Sequence, residues 1–231
     1  MDLPLYLQIS ERLTRDIAAG TYPDRTRLPP EMELARAFGV SVGTLRKALA
    51  ELTARGLLIR RHGSGNYVRN AAGPTGIYEF FHLELRDGAG MPTARTLSAD
   101  RVATPAGDDV PWAEAWRIRR LRLLNDTPAA FEEIWIDAAH AATMDAASLP
   151  DSLYRHYASA FGLRIARVED RITEGICPAW VPPGSPMGPQ ASCGMVLRRA
   201  ESLERRLVEL SRTWFDSSLV AYVARWNAEA A

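Results

Sequence analysis

Apolar residues recur at helical spacing in two places within the first sixty positions, and helix-end signals mark another helix between them. Ile9, Leu13 and Ile17 predict a first helix over Leu5–Ala19, which Gly20 stops. Pro29-Pro30 cannot continue a preceding helix, but Pro30 suits the first turn of a new one. Glu31 and Glu33 then sit near its positive end, and Gly39 lies past its C-terminus. Ser41 is placed to cap a third helix, in which Leu45, Ala48, Leu49 and Leu52 follow the i, i+3, i+4, i+7 rule. Gly56 ends it. Leu57–Ile59 and Tyr67–Val68 read as two short strands around the basic loop Arg60–Asn66.

Beyond the small, uncharged stretch Asn70–Gly76, which reads as a linker, the period becomes strand-like. Ile77–Leu85 alternates and ends at the turn signal Asp87-Gly88. Strands are predicted over Arg95–Thr104, Ala115–Leu124 and Ala129–Asp137, the last two joined by the turn Asn125-Asp126-Thr127-Pro128. A helix over Ser152–Phe161 follows, stopped by Gly162. Ile165–Ile176, Val196–Ala200 and Val208–Val223 complete the pattern. Strands, one helix, then strands imply an α+β class with an antiparallel sheet. The expected domains are residues 1–70, a linker at 71–76, and 77–231.

Net charge is zero over the 231 residues, but residues 1–70 hold 11 Lys+Arg against 7 Asp+Glu, and the rest hold 17 against 21. A +4 head on a −4 body fits nucleic-acid binding by the head alone, although such an excess is by itself ordinary surface variation. Cys177 and Cys193 are too few for a zinc site or a disulfide scaffold. His82, His140 and His156 lack metal-ligand spacing. Trp112, Trp116, Trp135 and Trp226 read as core or interface. The N-terminus lacks a signal-peptide pattern, and no apolar stretch approaches a membrane span, so a cytoplasmic protein is expected.

Two short helices, a tight turn and a glycine-rich hairpin are the sequence form of a winged helix-turn-helix. Opposite the apolar stripe of the third helix lie Gly43 and Lys47, flanked by Thr44 and Arg46. Small residues first and cations next suit a helix that enters the major groove. From Leu5 to Val68 the chain resembles the DNA-binding domain of the GntR family, through Leu28, Pro29, Glu31, Gly39, Val40, Ser41, Thr44, Arg46, Ala48, Leu49, Gly56, Gly63 and Gly65. It departs at Pro30, where serine is usual, and at Met32 and Val42, where arginines are common. The resemblance and the basic helix face together imply DNA contacts by Ser41, Thr44, Arg46, Lys47, His62 and Gly63, with Val42 limited to apolar contact with a thymine methyl.

Arg120 and Arg122 are two apart on a predicted strand and so share a face, where two guanidinium forks can hold a carboxylate or phosphate. Glu132 on the next strand can accept a hydrogen bond from a ligand hydroxyl, amine or imidazole N–H. Ser152 and Tyr154 open the helix, where free N–H groups favour an anion. A solvated cross-strand ion pair is the plainer alternative for Arg120 and Glu132. This half resembles the UTRA effector domain of HutC-like GntR regulators, which has a chorismate-lyase-like fold. That resemblance implies an effector pocket at Arg120, Arg122, Glu132, Ser152 and Tyr154, with Phe215 near the place of a pocket tyrosine. The proline-rich stretch Cys177–Pro189 replaces a usual helix.

The function expected is a transcriptional regulator, acting as a repressor. Its partners are a near-palindromic duplex operator, a small anionic metabolite and a second copy of itself, with no cofactor, metal or catalytic residue and no membrane. The rival is a lyase-like enzyme on a small carboxylate with an accessory DNA-binding head; against it, no general base is evident beyond Glu132 and no nucleophile–base pair appears.

Overall fold

The structure, a computed structural model, describes residues 3–69, 76–104, 107–183, 185 and 187–225. Apart from Gly76, the expected linker lies outside the described residues, as does Trp226. Among the described residues two compact units emerge: one runs from Pro92 to Ala221, and the other holds those up to Met91 together with Tyr222–Arg225.

In the head, α1 (Leu5–Ala18) and α3 (Val42–Ala54) form where the apolar period predicts them, and α2 (Glu31–Ala37) where the proline and glycine end signals do. Pro30 is the cap of α2 rather than a residue of its first turn. Its extended ψ of 138–143° is shared with Pro4 ahead of α1, and its carbonyl accepts from Leu34 N–H at 3.0 Å. Gly39 and Gly56 follow α2 and α3 with φ of 63° and 75°, a left-handed geometry that a Cβ would strain. Leu13, Leu45 and Leu52 are fully buried at the centre, with Leu57, Leu58 and Val68 beneath the hairpin. Each such leucine contributes about 1.5–3 kcal/mol of burial. The hairpin strands, β1 (Leu58–Arg61) and β2 (Gly65–Val68), are longer than the apolar residues alone suggest, because Arg61 still pairs with Gly65. The tip is therefore only His62–Ser64, with His62 and Gly63 exposed. Residues 25–28 flank the other side of β2, with Leu28 N–H donating to the Asn66 carbonyl at 2.9 Å.

The expected strand over Ile77–Leu85 is mostly turns. Only β3 (Leu83–Leu85) is extended, since the backbone before it bonds to side chains of α1 rather than to a neighbouring strand.

The second unit is built on six antiparallel strands: β4 (Pro92–Ala103), β5 (Glu114–Leu124), β6 (Thr127–Asp137), β7 (Ile165–Ile176), β8 (Ser192–Ser202) and β9 (Leu207–Phe215). Their order is β4-β5-β6-β9-β8-β7. The single expected strand Val208–Val223 is split, because Asp216 turns the chain before β10 (Val220–Tyr222): its carboxylate accepts from Ser218 N–H at 2.9 Å. Helix α4 (Leu153–Phe161) lies on one sheet face, packing Leu153 and Tyr157 on Ile118, Ile134 and Ile136. The other face is covered by loops. Trp112 packs with Ala115, Trp135 and Leu210, and Cys177, Val181 and Met187 pack with Phe131, Cys193 and Trp214. The proline-rich stretch thus covers the face away from α4, with the Trp180 ring set edge-on to Phe131 and Trp214.

Candidate DNA-binding and ligand-binding sites

In the head, Ser41 caps α3: its Oγ accepts from Thr44 N–H at 3.1 Å and lies 2.9 Å from Thr44 Oγ1. The cap fixes the first turn, leaving Val42 and Gly43 at its start. Arg46 is exposed, and its Nε donates to Glu31 Oε2 of α2 at 2.6 Å. That pair orients the guanidinium across α2 and α3, with Met32 nearby on α2 at 68% exposure. Lys47, the one lysine of the chain, is exposed on α3. A cleft of ≈ 350 Å³ between α3 and the hairpin is lined by Glu31, Arg46, Leu49, Thr53, Arg60 and Asn66, among others. At the hairpin, His62 and Gly63 are exposed at the tip, Gly63 with φ 70°. Arg61 stacks over the Tyr67 ring at 4.4 Å, and Ser64 Oγ lies 2.7 Å from Tyr67 OH, so aromatic packing stiffens a short basic wing. All six residues expected to meet DNA lie on α3, at its cap, or on the hairpin tip.

In the sheet unit, the two-residue period and the register Arg120↔Glu132↔Thr213 put Arg120, Arg122 and Glu132 on the α4 face. Arg120 Nη2 donates to the carbonyl of Asp151 at 2.6 Å and Arg122 Nη1 to the same oxygen at 3.0 Å. Glu132 stands 3.9 Å from Arg120 and 3.7 Å from Arg122. The solvated ion pair is thereby excluded as a description, since Arg120 is 1% exposed. Burial, then the neighbouring Arg122 charge, pull the Arg120 pKa down to about 10 against the pull of Glu132. Ser152 is the N-cap residue of α4 and is buried, but its hydroxyl does not cap the helix. Tyr154 turns inward, and its hydroxyl donates to Glu209 Oε1 at 2.9 Å. Phe215 lies further along the same face, its ring filling the space that a side chain on Gly194 would need.

Three residues absent from the expected set complete this cluster. Glu209 on β9 is 2% exposed, and burial raises its carboxyl pKa to about 7 against the Tyr154 hydrogen bond and the Arg198 charge. Arg198 and Asp170 form a half-buried pair through two hydrogen bonds of 2.6 Å. The signal for Glu209 was present in the sequence: a carboxylate between Val208 and Leu210 interrupts an apolar strand. With Arg198 and Asp170 occupied by each other, the cluster offers two further guanidinia, Arg120 and Arg122, a helix N-terminus, and two further carboxylates, Glu132 and Glu209. That chemistry suits a small ligand with an anionic end and several hydroxyls.

A winged helix-turn-helix joined to a six-stranded antiparallel sheet domain is the architecture of a DNA-binding regulator. The chain belongs to the GntR family. Residues 5–68 match the family described as bacterial regulatory proteins, gntR family, and residues 92–220 match the UTRA domain. It is 44% identical over 227 residues to the HTH-type transcriptional regulator SmoD of Agrobacterium fabrum, covering 96% of each chain. It is 32% identical over 145 residues to the mannosyl-D-glycerate transport/metabolism system repressor MngR of Escherichia coli, covering 59% of this chain and 60% of that one. The HutC-like resemblance is met by the histidine utilization repressor of Pseudomonas putida, 38% identical over 76 residues, 33% of this chain and 31% of that one. The fold is shared with the possible transcriptional regulator YydK of Bacillus subtilis, at a TM-score of 0.54 and 16% identity over 97% of this chain and 100% of that one. The chain is a transcriptional regulator with repressor relatives, and the lyase reading is set aside.

Proposed function

We propose that this chain is a repressor released from its operator by a small hydroxylated anion. Two copies bind a near-palindromic duplex, each placing α3 in the major groove of one half-site, about one DNA turn apart. Ser41, Thr44 and Arg46 address base edges and adjacent phosphates; Lys47, His62 and Gly63 address the backbone. The anion sits against Arg120 and Arg122 at the start of α4, with Glu132 and Tyr154 taking its hydroxyls and Phe215 closing one end. One observation carries this reading: two buried guanidinia converge on a single main-chain carbonyl, an acceptor that a carboxylate or phosphate oxygen outcompetes. The name of the E. coli relative adds a ligand class, a sugar-bearing carboxylate. Release follows from linkage, the anion favouring a dimer arrangement whose two heads cannot both reach their half-sites.

The test uses full-length protein and a duplex selected by it from a random pool. Sugar phosphates, sugar acids and inorganic phosphate are screened by thermal shift. At least one is expected to raise the melting temperature of the parent, fail to do so for Arg122→Ala, and weaken duplex retention by about tenfold or more, the usual span of an allosteric coupling. If none binds and Arg122→Ala retains duplex like the parent under every addition, the ligand reading is wrong.

A further inference from the structure

Residues 76–90 are gripped by two buried side chains one turn apart on α1. The Glu11 carboxylate accepts from Ile77 N–H at 2.8 Å and Tyr78 N–H at 3.3 Å. Gly76 lies so close to that carboxylate that a Cβ would collide with it. Arg15 donates to four carbonyls: Nε to Gly90 at 2.8 Å, Nη1 to Phe81 at 3.1 Å, and Nη2 to Leu83 at 2.8 Å and Ala89 at 3.1 Å. Its guanidinium also lies 5.5 Å from the centre of the Phe81 ring. A second stretch joins this strap: Val223 N–H donates to the His82 carbonyl at 2.8 Å, and Arg225 holds Glu84 through two bonds of 2.6 and 2.8 Å. Buried charges are costly to strand, so the strap and α1 separate only if Glu11 and Arg15 find water instead.

The chain leaves this grip at Gly90 and enters β4 at Pro92. Two residues later, Ala94 N–H donates to Asp151 Oδ1 at 2.6 Å. Asp151 therefore faces two ways. Its carbonyl holds both guanidinia of the proposed anion site, and its carboxylate holds β4 four residues past the last carbonyl bound by Arg15.

We infer that Asp151, the start of β4 and the Glu11–Arg15 grip form a relay from the ligand site to α1, a regulation that rests on the anion reading above. An anion draws the two guanidinia from the Asp151 carbonyl. Asp151 shifts, its hold on Ala94 changes, and the displacement passes along the main chain through Gly90 to Arg15. A free tether would absorb such a shift; a strap bonded to the helix delivers it. Both ends of the relay are discrete hydrogen bonds that are either kept or lost, joined by four residues of main chain, and such on–off contacts are what a two-state coupling element requires. Glu11 and Arg15 are positioning residues here: they touch neither DNA nor ligand.

The experiment is hydrogen–deuterium exchange by mass spectrometry on the full-length chain without added ligand. Arg15→Ala is expected to speed exchange in peptides covering 76–90 by about tenfold or more, with α3 and β5–β9 unchanged. Gly76→Ala removes no charge and is expected to do the same through its collision with Glu11. Asp151→Ala, distant in sequence, is expected to speed the same peptides, and Asp151→Asn, which keeps the Oδ1 acceptor, to behave as the parent. Asp151→Ser provides the milder loss should the alanine variant not fold. If the alanine or serine variant leaves 76–90 as slow as in the parent, the relay is overturned. If Arg15→Ala and Gly76→Ala are silent, so is the grip. Because no ligand is added, a failed anion screen sinks the ligand reading while leaving this result intact.

Discussion

Glu209 shows most clearly what one side chain does in this molecule. An ordinary carboxyl near 4.5 is pushed to about 7 by burial, against the Tyr154 hydroxyl and the Arg198 charge. The folded state thus keeps a proton that the unfolded chain releases between those values. The associated stability is fully present below about 4.5 and is lost as pH rises through about 7. Glu209→Gln keeps an acceptor for Tyr154 without the charge. Its melting point should exceed that of the parent at pH 8, by a stability on the order of 1–3 kcal/mol, with the gap closing toward pH 5. Thermal melts across that range check it; a glutamine variant weaker than the parent at pH 8 would mean that Arg198 keeps the carboxylate ionised.

Among the described α-helices, α3 is the one whose start is capped by a side chain. Ser41 Oγ satisfies Thr44 N–H, one of the donors that a helix start leaves open. Ser41→Ala should lower head stability by about 1 kcal/mol and weaken duplex retention, while Ser41→Asp, which also caps, should restore the melting point but not retention, because its charge faces phosphate. Urea melts beside retention assays separate the two effects. The head was legible because its signals are local: a proline cap, a serine cap, glycines at the stops and one apolar stripe. Ile77–Leu85 was misread for the opposite reason. Its alternation is real, but the backbone partners that decide its shape are Glu11 and Arg15, more than sixty residues earlier. In the sheet, Arg120, Arg122 and Glu132 follow from a period of two and one hairpin register. Asp151 does not, because the carbonyl that both arginines hold is one that every residue possesses. Glu209 was visible as a polar break in β9, but which face it joins is decided only once β9 lies between β6 and β8.

For the whole molecule, the zero net charge conceals a basic head on an acidic body. Binding carried by the head alone implies strong salt dependence, since each neutralised phosphate releases counterions. The logarithm of duplex affinity should fall linearly with the logarithm of KCl concentration. Lys47→Ala should reduce the magnitude of that slope by about 0.9, with little change in sequence preference. Titrations at several salt concentrations check it, and an unchanged slope would remove Lys47 from the phosphate contacts.

The composition of the chain also has a practical edge. With its cations otherwise all arginine, the only side-chain amine stands on the outer surface of α3. Any reagent that targets primary amines, whether a succinimidyl dye, a biotin tag or coupling to a carboxymethyl sensor chip, is steered to that helix and to the N-terminus. Immobilising the protein this way would block the exposed face of α3, whereas tethering the duplex instead leaves it open.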